Sequence, residues 1–408
     1  MAFLNWVSRD GKLLLTARIV RTFSYGFLSI VLAIYLKLMG FNEIFIGIVL
    51  TVTLVNSVIF NLFASFYADK IGRKKILIIY AILMAISGAI FLVTNNYVAL
   101  ITSALIGTIN VTGTEVGAFL SIEQAILPQT VNDIRKRNSI FAIYNMAGTF
   151  AMSAGVLLSG LPPYIQKLYG LNQVESIRLL FLFYSICAVI VIGIYLFLSK
   201  KIELEPNVAK TTIRTISPKS KGIIAKLSSL FAVDSFAGGF VIQSIVSFWF
   251  FSKFGADLTT LSYIFSIAGA LTAFSFLFAT KIASRIGLIN TMVFTHIPSN
   301  LLLILLAFAP TFPIAIGIYL ARMSLSQMDV PARQSYIVAV VNEDERIAAA
   351  GITNTSRNIA QAVSPSLAGA IIQSLSLSAP FVVGGLLKIV YDIGVYVNFR
   401  KIKPPEEN

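Results

Sequence analysis

Residues 65–75 read SFYADKIGRKK, and a worn copy of the stretch returns at 283–287 as ASRIG. In both places a strongly apolar segment ends, a short turn with charge and glycine follows, and a second apolar segment begins. Gly72 permits a tight turn that other residues resist. An Asp beside Gly-Arg-Lys-Lys between two apolar segments marks a connection with a task. Its recurrence marks a chain built twice.

Composition sets the class. Of the 408 residues, 57% are hydrophobic and only 12% charged, with a mean hydropathy of +0.83. A soluble domain carries about 25% charged residues, so this chain has too little polar surface to face water all round. A bilayer core needs ~20 apolar residues per helix. Windows of that length give twelve spans, at 14–36, 42–68, 75–95, 98–124, 139–160, 176–199, 227–252, 258–281, 287–309, 312–338, 346–373 and 379–399.

The net charge of +14 is placed for topology. Basic residues gather in alternate loops: Lys70 and Arg73 to Lys75, Arg135 to Arg137, seven from Lys200 to Lys226, Lys281 and Arg285, then Arg400, Lys401 and Lys403. The positive-inside rule then puts both termini in the cytoplasm and the chain in the cell membrane. The basic faces suit anionic lipid headgroups, and no nucleic-acid partner is expected. Arg9 and Lys12 lead into a span too long for the apolar region of a signal peptide, so no separate signal is expected. Cys187 and His296 are the sole residues of their types, which excludes a disulfide framework and a Cys/His metal cluster. No cofactor is expected.

Residues 200–222 (KKIELEPNVAKTTIRTISPKSKG) form the longest polar stretch and divide the chain into a bundle at 1–199, a cytoplasmic linker and a bundle at 223–408. The halves overlay with a shift of roughly 209–215 residues. Gly26-Phe27 falls on Gly239-Phe240, Arg21 on Asp234, Gly72 on Gly287, Glu123-Gln124 on Arg333-Gln334, Asn145 on Asn354 and Gly160 on Gly369. Two such halves around a central site suit alternating access by rocking.

With these features the chain resembles the major facilitator superfamily of secondary transporters over its full length. The expected fold is an all-α membrane protein of twelve transmembrane helices in two pseudo-symmetric six-helix bundles. The family's motif between spans two and three runs G-x-L-x-D-R-x-G-R-K-x. Asp69, Lys70, Gly72, Arg73 and Lys74 fill the matching places, while Ser65 and Tyr67 replace the family's Gly and Leu. The second copy keeps Arg285 and Gly287 but has Ser284 in place of the acid. The resemblance implies a gating role: the motif Asp faces the start of span eleven, and its Arg reaches an acid on span four. Here Glu123 is the expected partner of Arg73. Asn342 to Glu345 reads as a capping box for span eleven. Lys74 and Lys75 need no role beyond topology.

Ionisable groups at membrane depth are costly, and each is a functional candidate. In span ten, Arg322, Ser326, Asp329 and Arg333 follow 4, 3, 4 spacing and share one helical face, with Pro331 expected to bend the helix between the last two. Asn354, Arg357, Asn358 and Gln361 form a second stripe on span eleven. Arg21 lies early in span one, Glu115 within span four and Asp234 early in span seven. Arg21 and Asp234, equivalent in the repeat, are expected to oppose each other. In the family, spans one, four, seven and ten line the cavity, which brings Arg21, Glu115, Asp234, Arg322 and Asp329 toward it. Lys388 and Asp392 read as a structural i, i+4 pair. Arg18 and Arg333 read as snorkelling residues. His296 reads as packed or interfacial, without a visible partner. The glycines of span five read as close-packing positions.

The expected function is secondary transport of a small solute, proton-coupled through Asp234 or Glu115, by a functional monomer. Arg322 and Arg357 lean the cargo toward an organic or inorganic anion, since guanidinium matches carboxylate and phosphate. The alternative is proton-driven efflux of drugs or lipophilic cations, drawn by Glu115 and Asp234. No nucleotide-binding loop is present, and one histidine cannot build an intramembrane metalloprotease. No loop exceeds about 23 residues, too short for a receptor's output domain of ~50. An enzyme is not expected.

Overall fold

The computed structural model describes residues 5–114, 117–131, 137–203, 217–342 and 345–402. The described residues form sixteen α-helices and no sheet. They build twelve spans: α1 (Arg9–Leu38), α2 (Glu43–Ile71), α3 (Arg73–Val93), α4 (Tyr97–Ile106) with α5 (Ala118–Ile126), α6 (Arg137–Leu158), α8 (Gln173–Leu196), α9 (Pro218–Gly239) with α10 (Gln243–Phe254), α11 (Leu258–Ile286), α12 (Leu288–Ala307), α13 (Phe312–Leu325) with α14 (Asp329–Ala339), α15 (Arg346–Ser374) and α16 (Ala379–Phe399). The short α7 (Pro162–Tyr169) stands before α8.

Three spans are broken where the sequence read as continuous. Span four opens after Ile106. Asn110 holds the exposed backbone there, its side chain accepting from the amides of Thr112 (3.1 Å) and Gly113 (3.2 Å) and donating to the Thr114 carbonyl (2.6 Å). Gly113 and Gly117 take positive φ. Span seven breaks between Gly239 and Gln243, and span ten between Leu325 and Asp329. Pro331 explains the last. Its ring displaces the carbonyl four residues earlier and offers it no N–H, so the helix fails before Asp329. The expected bend between Asp329 and Arg333 does not occur, because Pro331 lies in the first turn of α14, where proline is tolerated. Non-helical backbone at membrane depth survives only inside protein or against water, so these breaks mark places of interest.

The chain divides into two compact units. The first holds Met1–Asn42, Ile48–Thr211 and Ala256–Tyr263; the second holds Glu43–Gly47, Thr212–Gly255 and Ile264–Asn408. In the first, α1 packs along α6 and α8, and α3 along α8; in the second, α9 packs along α15 and α16, and α12 along α16. The internal repeat is therefore visible as a repeat of packing. It extends to single residues. A Cβ on Gly26 would strike the Met152 carbonyl of α6, and one on its counterpart Gly239 would come within 2.8 Å of the Gln361 carbonyl of α15. Gly155 likewise lies against the Phe23 carbonyl, as close packing requires.

Each unit has its own apolar core. Leu14, Leu77, Ile126, Leu127 and Tyr144 belong to the first, and Leu227, Phe231, Met292, Tyr336 and Val395 to the second.

The opening motif is tighter than a turn. Helix α2 runs to Ile71 and α3 starts at Arg73, leaving Gly72 alone between them at φ 110°. Gly287 repeats the device between α11 and α12 at φ 86°.

Candidate functional site

The motif's charges are spent locally. Arg73 Nε donates to Asp69 Oδ1 at 2.7 Å, across the Gly72 hinge. Arg73 does not pair with Glu123; the carboxylate of Glu203 instead accepts from the backbone amides of Arg73 (2.6 Å) and Lys74 (3.1 Å). These amides are unsatisfied at the start of any helix, and an acid there is favourable by ~0.3–1 kcal/mol. Lys74 does more than set topology: its Nζ donates to the carbonyls of Leu196 and Leu198, both at 2.7 Å, closing the end of α8.

Glu123 belongs to a buried pair in the first unit. Arg21 Nη1 and Nη2 donate to its two carboxylate oxygens at 3.1 and 2.7 Å, with both side chains fully buried. Tyr195 donates to Glu123 at 2.7 Å and accepts from Arg21 at 2.6 Å, and Tyr144 donates to the other oxygen. The Phe119 ring lies 4.4 Å from the guanidinium. Arg18 does not snorkel; it is buried against the Tyr144 ring at 3.8 Å. Arg21 and Asp234 were expected to oppose each other, but each carries partners inside its own unit.

The second unit holds a larger cluster. Asp234 on α9 is contacted by Lys388 Nζ at 2.6 Å, Arg357 Nη1 at 3.0 Å and Arg333 Nη1 at 3.3 Å. Arg333 also binds Asp329 at 2.9 Å, so it is buried and paired rather than snorkelling. Lys388 and Asp392 do not pair with each other: one helical turn apart on α16, they meet different neighbours. Lys388 reaches Asp234, while Asp392 accepts from Asn300 Nδ2 at 2.9 Å and lies 2.7 Å from His296 Nδ1. His296 thus has a partner, contrary to expectation, and its Nε2 lies 3.9 Å from Asp234.

The repeat alignment sets these two pairs at equivalent positions. Arg21 falls on Asp234, and Glu123 falls on Arg333. The same two positions carry an ion pair in both units, with the charges exchanged. In the first unit tyrosines seal the pair; in the second, Lys388, Arg357, His296 and Asp329 crowd it.

Arg322 differs from all of these. It lies in the last turn of α13, before the break, and is buried, yet no carboxylate lies within ion-pair reach among the described residues. Its Nη1 meets only the Met323 sulfur at 3.4 Å, and its Nε has no partner. The break separates it from Asp329 and Arg333, so the expected four-residue stripe is cut in two. Asn354 is exposed, one turn before the partly exposed Arg357. Glu115, most of the linker (204–216) and residues 343–344 lie outside the described residues.

The capping box expected at 342–345 is not the one formed. Helix α15 starts at Arg346, which leaves the Glu345 carboxylate free to turn elsewhere. It accepts from the Ser217 amide at 2.6 Å, at the entrance of α9, and from Asn342 Nδ2 at 3.0 Å. Hydrogen bonds from Ser220, Ser217 and Asn342 hold this carboxyl down at about 2.

Residues 14–328 match the Major Facilitator Superfamily. The chain belongs to that superfamily. It is a multi-pass membrane transporter of small molecules, not an enzyme. A Saccharomyces cerevisiae relative of this transporter, named Uncharacterized membrane protein YJR124C, is 26% identical over 95% of this chain and 93% of its own length. A mutant of the nucleoside transporter NupG is similar at TM-score 0.77 and 14% identity, covering 96% of this chain and all of that one. A D-xylose-proton symporter follows at 0.75 and 14%, covering 97% and 98%. The human organic anion transporter MFSD10 is similar at 0.62 and 14%, covering 95% and 100%. At such identities the likeness is one of fold.

Sequence reasoning missed Glu203, Tyr144, Tyr195 and Asn300, and set aside His296, Lys388 and Asp392. The last three carried a signal: one histidine and an i, i+4 charged pair on neighbouring apolar spans. Nothing in the sequence joined span nine to span twelve.

Proposed function

We propose that this transporter moves a small anion, an organic acid or an inorganic anion, across the cell membrane by alternating access, coupled to protons, with both termini cytoplasmic. One observation carries the anion reading. Arg322 is buried at a helix break without a carboxylate partner among the described residues, whereas Arg21, Arg333, Arg357 and Lys388 each have one. An unpaired guanidinium at membrane depth is costly, and a bidentate oxyanion satisfies it best. The break in span ten follows within one helical turn of Arg322. Arg357, Asn354 and Asp329 extend the pathway, and the Asp69-Gly72-Arg73 hinge serves as the gate. Coupling runs through Asp234, which three cations share: a proton gained at or beside it frees Arg357, the most exposed of them. Solved structures of this fold include a D-xylose-proton symporter and an organic anion transporter, so the architecture is compatible with both properties.

The test is uptake into proteoliposomes under an imposed pH gradient, comparing carboxylates, phosphate and sulfate with tetraphenylphosphonium. Anion uptake is expected in the wild type. It should fall at least tenfold in Arg322→Ala and recover in part in Arg322→Lys, which keeps the charge without the fork. Uptake of the lipophilic cation alone, untouched by Arg322→Ala, would favour drug efflux instead.

A further inference from the structure

The cluster around Asp234 contains three carboxylates and three permanent cations besides His296. Asp329 has Arg333, and Asp234 has Lys388, Arg357 and Arg333. Asp392 has none of them. Its only polar partners among the described residues are His296 Nδ1 and the neutral Asn300 amide. The fixed charges balance three against three, so the cluster changes charge most directly through the histidine.

We propose that His296 and Asp392 form the site where the coupling proton is held. His296 Nδ1–H donates to Asp392 in the neutral ring, and Asn300, one turn along α12, fixes the carboxylate's other oxygen. The incoming proton adds to Nε2, which lies 3.9 Å from Asp234 Oδ1. No other bond forms or breaks. The new N–H then competes with Lys388 Nζ for that oxygen and draws Asp234 away from the guanidiniums of Arg333 and Arg357. A proton on α12 is thereby felt on α9 and α15.

The groups facing the ring come from every neighbouring element. Helix α16 contributes Asp392, Lys388 and Tyr391, whose ring meets the imidazole edge-on at 5.9 Å. Helix α9 contributes Asp234, and through it come Arg333 with Asp329 on α14 and Arg357 on α15. Helix α13, which also packs on α12, carries Tyr319 and Arg322; neither contacts His296 among the described residues. Among the described residues the ring's ion-pair contacts are with the carboxylates of Asp392 and Asp234.

This assignment rests on the proton-coupled reading but is tested without any transported solute. His296 is the only histidine of the chain, so protein labelled with 15N-histidine and purified on a non-histidine tag gives one pair of ring signals. Between pH 8.5 and pH 5 these signals should convert from the Nδ1–H neutral tautomer to the doubly protonated ring, in one step. In Asp392→Asn the step should move toward acid by at least tenfold in proton concentration, and in Asn300→Ala it should move by a smaller amount. A ring that stays in one state across this range overturns the proposal, as does a step unmoved in a folded Asp392→Asn or, if that variant does not fold, in Asn300→Ala. A titrating ring in a protein that moves no anion would sink the cargo reading and leave the site intact.

Discussion

At the scale of single residues, the repeated ion pair separates scaffold from machinery. Arg21 and Glu123 are fully buried, doubly bonded to each other and sealed by two tyrosines. Removing one member strands the other charge, at a cost of ~3–5 kcal/mol, whereas replacing both with apolar residues is often close to neutral. Glu123→Ala is therefore expected to lower the thermal unfolding midpoint in detergent sharply, and Arg21→Met with Glu123→Met to lower it less than either single change. A double variant worse than both singles would mean that the pair does more than neutralise itself. The sequence placed both residues correctly in their spans but gave them the wrong partners. Side-chain pairing across helices depends on helix rotation, which apolar periodicity in a membrane leaves poorly defined.

At the scale of elements, the legible parts were those governed by hydropathy and by local chemistry. Twelve apolar windows, the glycine hinges at 72 and 287 and the close-packing glycines of α6 all follow from residue type. The breaks did not show, because the residues on either side remain apolar. The run Gly107-Thr-Ile-Asn-Val-Thr-Gly113 held a signal in its glycines, asparagine and threonines, and Pro331 held one four residues downstream of its effect. Helix α15 begins at Arg346, the expected start of the span, and not directly after Asn342 as the capping box required, and this moves Glu345 from a cap of its own helix to a tie on α9. That tie gives a pH dependence. The carboxyl is held at about 2 against 4.5 for a free one, so its contribution is whole above about 4.5 and drains away as pH falls toward about 2. Wild type should therefore unfold at a higher temperature than Glu345→Gln at neutral pH, with the gap narrowing markedly by about pH 3. A gap of constant size down to that pH would place the stabilisation elsewhere.

At the scale of the molecule, two self-contained units follow from charge as well as from apolar packing. The buried pair of the first unit and the cluster of the second are each satisfied internally, so neither depends on the segment that connects them. Both ends of that segment are also tied down within their own units. Ser199 donates to Asp10, at the start of α1, and Glu203 sits on the start of α3; beyond residue 216, Ser217 is bound to Glu345. Cutting the chain within 204–216 should accordingly leave each unit folded. The two tryptophans report on one unit apiece: Trp6 packs against the first core, and Trp249 is buried in the second, its Nε1 donating to Ser378 at 2.9 Å. With a protease site inserted in this segment, fluorescence unfolding of the Trp249→Phe and Trp6→Phe variants follows each unit separately, before and after cleavage. Both midpoints are expected to stay in place. A fall of more than about 3 °C at either tryptophan, near 1 kcal/mol for units of this size, would show that the linker contributes to the fold and does not merely join its halves.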